Sequence, residues 1–126
     1  MDNETFFVVE LAIEPGQLGD LRSVAQEMVN LARKNEPGTL DYQYFLTQDQ
    51  TVCHIYERYT DPAAVLQHST SFPRGLGERG QAFRPVRLSA YGNVTDAIRE
   101  QRIDPIRQAI PGFAPLFLHP LAGFAR

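Results

Sequence analysis

Residues 54–68 read HIYERYTDPAAVLQH, the end of a strand, a turn and a helix start. Its first half belongs to a strand over Val52 to Tyr59, with Cys53, Ile55, Glu57 and Tyr59 on one face and Val52, His54, Tyr56 and Arg58 on the other. Asp61-Pro62 then supplies a helix N-cap followed by proline in the first turn, which predicts a short helix from Ala63 to about Ser69. Upstream, Leu40 to Thr47 alternates in the same way, and the polar Gln48-Asp49-Gln50 turn joins the two strands as an antiparallel hairpin. Before the hairpin, Leu18, Leu21, Ala25, Met28 and Ala32 step by three and four, predicting an amphipathic helix from Gln17 to Asn35 that Glu36-Pro37-Gly38 stops. The chain opens with TFFVVELAIE, a strand from Thr5 to Glu14. Downstream, Thr70 to Pro85 reads as a loop, and Val86 to Val94 reads as another strand.

The order β-α-β-β-α-β predicts an α+β fold of the ferredoxin-like type, a four-stranded antiparallel sheet with two helices on one face. Residues 1–94 form this core of a single domain spanning 1–126. In the extension, residues 95–126, Thr95-Asp96 starts a helix to about Ile103, and Asp104-Pro105 starts a second because proline cannot continue the first without a kink. A last short strand is expected around Leu116 to His119, with the apolar run Phe113 to Phe124 packing on a sheet edge or reaching across to a partner.

Composition excludes several classes. The 126 residues are 43% hydrophobic with a formal net charge of −3, which argues against a basic, phosphate-neutralising nucleic-acid binder. No stretch approaches the ~18 apolar residues of a membrane span. The acidic start lacks a signal-peptide pattern, and with one free cysteine it points to the cytoplasm. Cys53 alone supports neither a disulfide framework nor a cysteine-based zinc site, and it reads as a small buried hydrophobe. His54, His68 and His119 lack metal-ligand spacing, so no metal is expected. Two helices cover one sheet face, yet Phe6 and Phe7, like Tyr44 and Phe45, put large rings on both. The uncovered face should therefore meet a second copy, enclosing a barrel-like cavity.

The stretches VVELAIEPGQLGDL, EPGTLDYQYF, HIYERYTDPAAVLQH and RLSAYGN resemble the antibiotic biosynthesis monooxygenase-like family of dimeric α/β barrels, over roughly residues 5 to 93. Tyr56, Glu57 and His68 match an aromatic-Glu pair ending strand three and a His eleven residues after that Glu. The resemblance implies a homodimeric, cofactor-free monooxygenase acting on a small aromatic, phenolic or quinol compound. It also leaves room for an isomerase or decarboxylase on the same scaffold, or for a dimer that only binds a ligand. The chain has no Trp, which ranks haem degradation low.

Each candidate site residue has a plainer alternative. His68, on the sheet-facing side of its helix, is either a base entering a cavity or a histidine satisfied by a backbone carbonyl. Glu57, among apolar neighbours, is either a proton acceptor with a raised pKa or half of an ion pair with Arg58 or an arginine of residues 74–87. Tyr42, Tyr44 and Tyr56, on adjacent strands, either orient a phenol or quinone on one cavity wall or fill a dimer interface. Arg74, Arg79, Arg84 and Arg87 surround Gly75, Gly77 and Gly80, as a lid for an anionic substrate or as a solvated loop; Arg87 is the substrate-binding candidate among them.

Overall fold

A computed structural model describes residues 3–71 and 84–126. Among the described residues five strands, β1 (Thr5–Ala12), β2 (Thr39–Leu46), β3 (Val52–Tyr59), β4 (Arg84–Gly92) and β5 (Leu116–Leu118), form one sheet in the order β2-β3-β1-β4-β5. The first four are antiparallel, which is the ferredoxin-like sheet, while β5 pairs in parallel with β4 through Ser89–Leu116, Ala90–Phe117 and Tyr91–Leu118. Helix α1 (Leu18–Asn35) buries Leu21, Val24, Met28 and Ala32, and helix α2 (Pro62–Ser71) buries Ala64, Val65 and His68. Asp61 caps α2 as expected, its Oδ1 accepting from the Ala64 N–H at 2.9 Å.

Strand register sorts every side chain between two faces. The helix-covered face carries Phe7, Val9 and Leu11 of β1, Cys53, Ile55, Glu57 and Tyr59 of β3, and Leu88 and Ala90 of β4. Directly paired residues share a face, so Tyr42 opposite Glu57 and Tyr44 opposite Ile55 belong there too. The open face carries Phe6, Val8 and Glu10, then Val52, His54, Tyr56 and Arg58, then Arg87, Ser89 and Tyr91. The Phe6 ring stacks on Tyr91, with centroids 4.6 Å apart. Toward one end Glu10 approaches His54 at 3.5 Å, and at the other Arg58 bonds Asp41 and Glu4 at 2.7 Å each.

The extension departs from the expected two helices. Residues 96–109 run as one continuous helical rod: α3 (Asp96–Ile98), a π-helical turn (Arg99–Ile103) and α4 (Asp104–Ala109). The Asp104 N–H reaches the Arg99 carbonyl, five residues back. Pro105 has no N–H and its ring would strike the carbonyl four residues earlier, so the chain widens just before it instead of breaking. The wider turn also fits the packing: Ile98 and Ile103 are both fully buried. Five residues of α-helix turn by roughly 500°, leaving such side chains about 140° apart, whereas i→i+5 bonding brings them nearly into line. Beyond β5 the tail leaves the core, with Leu121 98% and Phe124 78% exposed. Among the described residues no helix is long and apolar enough to cross a membrane.

Candidate functional site

The helix-covered face holds a polar cluster inside an otherwise apolar core. Glu57 on β3 is 2% exposed and His68 on α2 is 1% exposed. Glu57 forms the expected alternative, an ion pair, with a partner other than those expected. Arg102, from the π turn, sets its Nη2 across both carboxylate oxygens at 2.8 and 2.9 Å. The Tyr59 hydroxyl also donates to Glu57 Oε1, and Arg102 Nη1 reaches that hydroxyl at 3.4 Å. Arg58, on the next residue, points to the open face and takes no part.

His68 lies between two carboxylates. Its Nδ1 is 2.8 Å from Glu36 Oε1, and its Nε2 is 3.9 Å from Glu57 Oε1. Glu36 follows the last residue of α1 and is fixed by Thr39, whose hydroxyl donates to Oε1 at 3.0 Å. A carboxylate only accepts hydrogen bonds, so His68 Nδ1 carries a proton in either charge state, and the exchangeable proton is the one on Nε2. Taking that proton brings the cluster to two negative and two positive charges.

Burial favours the neutral acid at Glu57, but the Arg102 and His68 charges, with the Tyr59 and Arg102 hydrogen bonds, outweigh it and hold the carboxyl below its usual range. The raised pKa expected at Glu57 is thus overturned: apolar walls alone would raise it, and Arg102 reverses the sign. At Glu36 burial again opposes ionisation, and the hydrogen bond and charge of His68, Thr39 and Arg102 prevail, so this carboxyl too is lowered. Burial pushes Tyr42, Tyr44 and Tyr59 well above the ordinary phenol value, keeping all three as neutral hydroxyls.

A groove of about 420 Å³ opens between α1 and β2. Leu18, Leu21, Ala25, Val29 and Leu46 give it apolar walls, with Arg22 and Gln26 from the same helix. Tyr42 and Tyr44 also line it, with their hydroxyls 2.6 Å apart. Behind them the Tyr42 ring meets His68 edge-on at 4.8 Å between centroids. Tyr42 therefore touches both the groove and the charged cluster.

The structure brings Glu57, His68, Tyr42 and Tyr44 together and separates them from Tyr56 and Arg87. Tyr56 pairs with Gln43 and Val8 on the open face, beneath Phe6, so it cannot share a wall with Tyr42. Arg87 is exposed opposite Glu10 on that same face, away from the groove. The expected hollow between paired sheets would thus contain Tyr56 and Arg87, while the acid–base groups lie within one protomer. Arg84 is exposed and bridges Glu14 at 2.9 Å; Arg74, Arg79 and the three glycines fall outside the described residues. Sequence reading missed Glu36 and Arg102. An acid closing α1, where the helix dipole disfavours it, is the one signal that marks Glu36 as held by something else.

A sequence profile of the antibiotic biosynthesis monooxygenase family matches residues 6–75. Curated protein sequences yield no match. Among solved structures, MupZ from Pseudomonas fluorescens is similar over 98% of this chain and 95% of its own, with a TM-score of 0.74 and 22% identity. A candidate antibiotic biosynthesis monooxygenase from Caulobacter crescentus aligns over 75% of this chain and 92% of its own (TM-score 0.64, 21% identity). Rv0793 from Mycobacterium tuberculosis aligns over 75% and 98% (TM-score 0.62, 21% identity). At such identities the likeness is one of fold.

Proposed function

Because the chain belongs to the antibiotic biosynthesis monooxygenase family, we propose that it is a homodimeric, cofactor-free oxygenase whose substrate is a small phenolic or quinol compound held in the groove between α1 and β2. The observation that carries this reading is the Tyr42–Tyr44 hydroxyl pair on an apolar wall, with His68 directly behind it. The aliphatic side chains of α1 cover the ring plane, and the paired hydroxyls bond the substrate oxygen. His68 Nε2 takes the proton, reached past Tyr42, and the two flanking carboxylates stabilise the imidazolium. The electron-rich anion then reduces oxygen: a ring CH2 of the keto tautomer becomes C=O, and the second oxygen atom leaves as water with the two displaced hydrogens. The substrate supplies all the electrons.

Two copies pair through the open sheet face. Phe45, beside His54 on that face, is 53% exposed, and Phe6, Val8, Tyr56 and Tyr91 share the face. The protein works in the cytoplasm, where Cys53 stays reduced.

Oxygen uptake across a panel of quinols and phenols tests the reading. Turnover with at least one compound is expected, and His68→Gln should lower it by about 10²–10⁴-fold, the usual worth of a general base. Compounds that bind with no oxygen uptake would overturn it. That outcome would favour a second reading, a dimer that only stores or carries its ligand; His68 and Glu57 are absent from the groove lining, which speaks for it.

A further inference from the structure

We propose that Arg102 is a positioning residue contributed to the acid–base site by the C-terminal extension: it clamps Glu57 as a fixed anion beside His68, so that the proton exchanged with substrate resides on His68 alone. The inference rests on the acid–base reading of this cluster.

Arg102 lies beyond the 6–75 segment that the family profile covers. It sits in the π turn, four residues after the buried Ile98 and so on the same face of the rod. Ile98 and Ile103 anchor that turn in the core, Arg102 is left with its side chain 13% exposed, and its guanidinium lies over the Phe7 ring at 4.8 Å. Phe117 of β5 carries the neighbouring Arg99 in the same way at 3.8 Å, so the edge strand braces the turn. The result is a cation held on three sides, with Nη2 spanning both oxygens of Glu57. An arginine so placed cannot give up its proton, and a carboxylate so covered is a poor proton acceptor. Glu57 then acts through its charge, as the anion that His68 Nε2 faces.

The groups around His68 are Glu36 after α1, Tyr42 on β2, Glu57 and Tyr59 on β3, and Arg102 from the extension through Glu57. Removing the Arg102 charge leaves His68 as the nearest described cation to Glu57, and protons bind the pair more tightly. Removing the Glu57 charge does the reverse. A purely packing role for Arg102 predicts no shift when its charge is removed.

The test is an NMR titration of the histidine rings in the full chain without ligand, with His54 on the far face as internal reference. In Arg102→Gln the His68 proton should be held at least about tenfold more tightly, one pH unit upward. Arg102→Lys should restore most of the parent curve, and Glu57→Gln should move the His68 midpoint downward. His54 should be unchanged in all three. His68 curves that overlay in parent and Arg102→Gln would overturn the proposal, as would an Arg102→Lys curve no closer to the parent than Arg102→Gln. Should Arg102→Gln fail to fold, Arg102→Met, which keeps the packing over Phe7 and drops the charge, should give the same upward shift, and an unshifted His68 there would equally overturn the proposal. No substrate enters the measurement, so absence of phenol turnover and failure of this inference are separate results.

Discussion

Gly38 offers a sharp test of how packing sets the site. It lies two residues after Glu36, and a Cβ built on it would stand 2.6 Å from the Cβ of Ala64 and 3.1 Å from Thr60 Oγ1. Ordinary carbon contacts are about 3.5–4.0 Å. Ala64 cannot swing away: its Cβ is rooted on α2, one turn before His68, and the residue is 7% exposed. Gly38→Ala therefore has to push α2 outward. Overpacking of this kind costs about 1–3 kcal/mol, while replacing glycine stiffens the unfolded chain and returns about 0.4–1 kcal/mol. The clash wins, by about 1–2 kcal/mol. With an unfolding entropy of about 2.1 cal/mol/K per residue over 126 residues, that lowers Tm by about 4–8 °C. Urea unfolding of Gly38→Ala, Ala64→Gly and the double variant measures it. Ala64→Gly alone should cost about 1 kcal/mol as a glycine inside a helix. The double variant should be no less stable than Ala64→Gly, because the atom that clashes is gone. Additive losses, or a neutral Gly38→Ala, would refute the argument.

Three further outcomes follow from the same packing. Glu36 and Glu57 have folded-state pKa values below their unfolded ones, so their contribution is complete above the unfolded value of about 4.3 and is lost as pH falls from there through the folded values. The urea midpoint should be lost steeply in that acid range and less steeply in Glu57→Gln; identical acid slopes would contradict this. Burial pushes the Cys53 thiol up to about 11, so under native conditions at pH 7.5 iodoacetamide should label it only as fast as the protein opens, and labelling at a free-thiol rate would argue against the packing of β3. Phe45→Lys on the open face should split dimers into folded monomers in sedimentation, with an unchanged circular dichroism spectrum; an unaffected dimer would move the interface elsewhere.

The sequence shows the local elements well and the long-range partners poorly. β3 is read to the residue, and α1 to within one, because alternation and the three–four spacing are properties of adjacent residues. The face of Glu57 is legible for the same reason. Its partner is not: Arg102 is 45 residues away, and which side chain of the extension meets β3 is set by long-range packing that no local periodicity displays. Without Arg102 in view, burial alone governs the expected pKa and gives the wrong sign. Tyr56 illustrates a different loss. Its strand position already puts it on the face away from Glu57, but that a groove opens on the Glu57 side depends on where α1 stands off from β2, and that gap is a packing result.

On the proposed function, a ligand enters each protomer between α1 and β2 and does not lie between two paired sheets. The chain's five tyrosines report on this directly, since Tyr42 and Tyr44 line the groove while Tyr56 and Tyr91 lie on the open face. With ring-labelled tyrosine, titration of a small quinol or phenol that binds should shift the Tyr42 and Tyr44 signals in NMR and leave those of Tyr56 and Tyr91 in place. Shifts confined to Tyr56 and Tyr91 would contradict it.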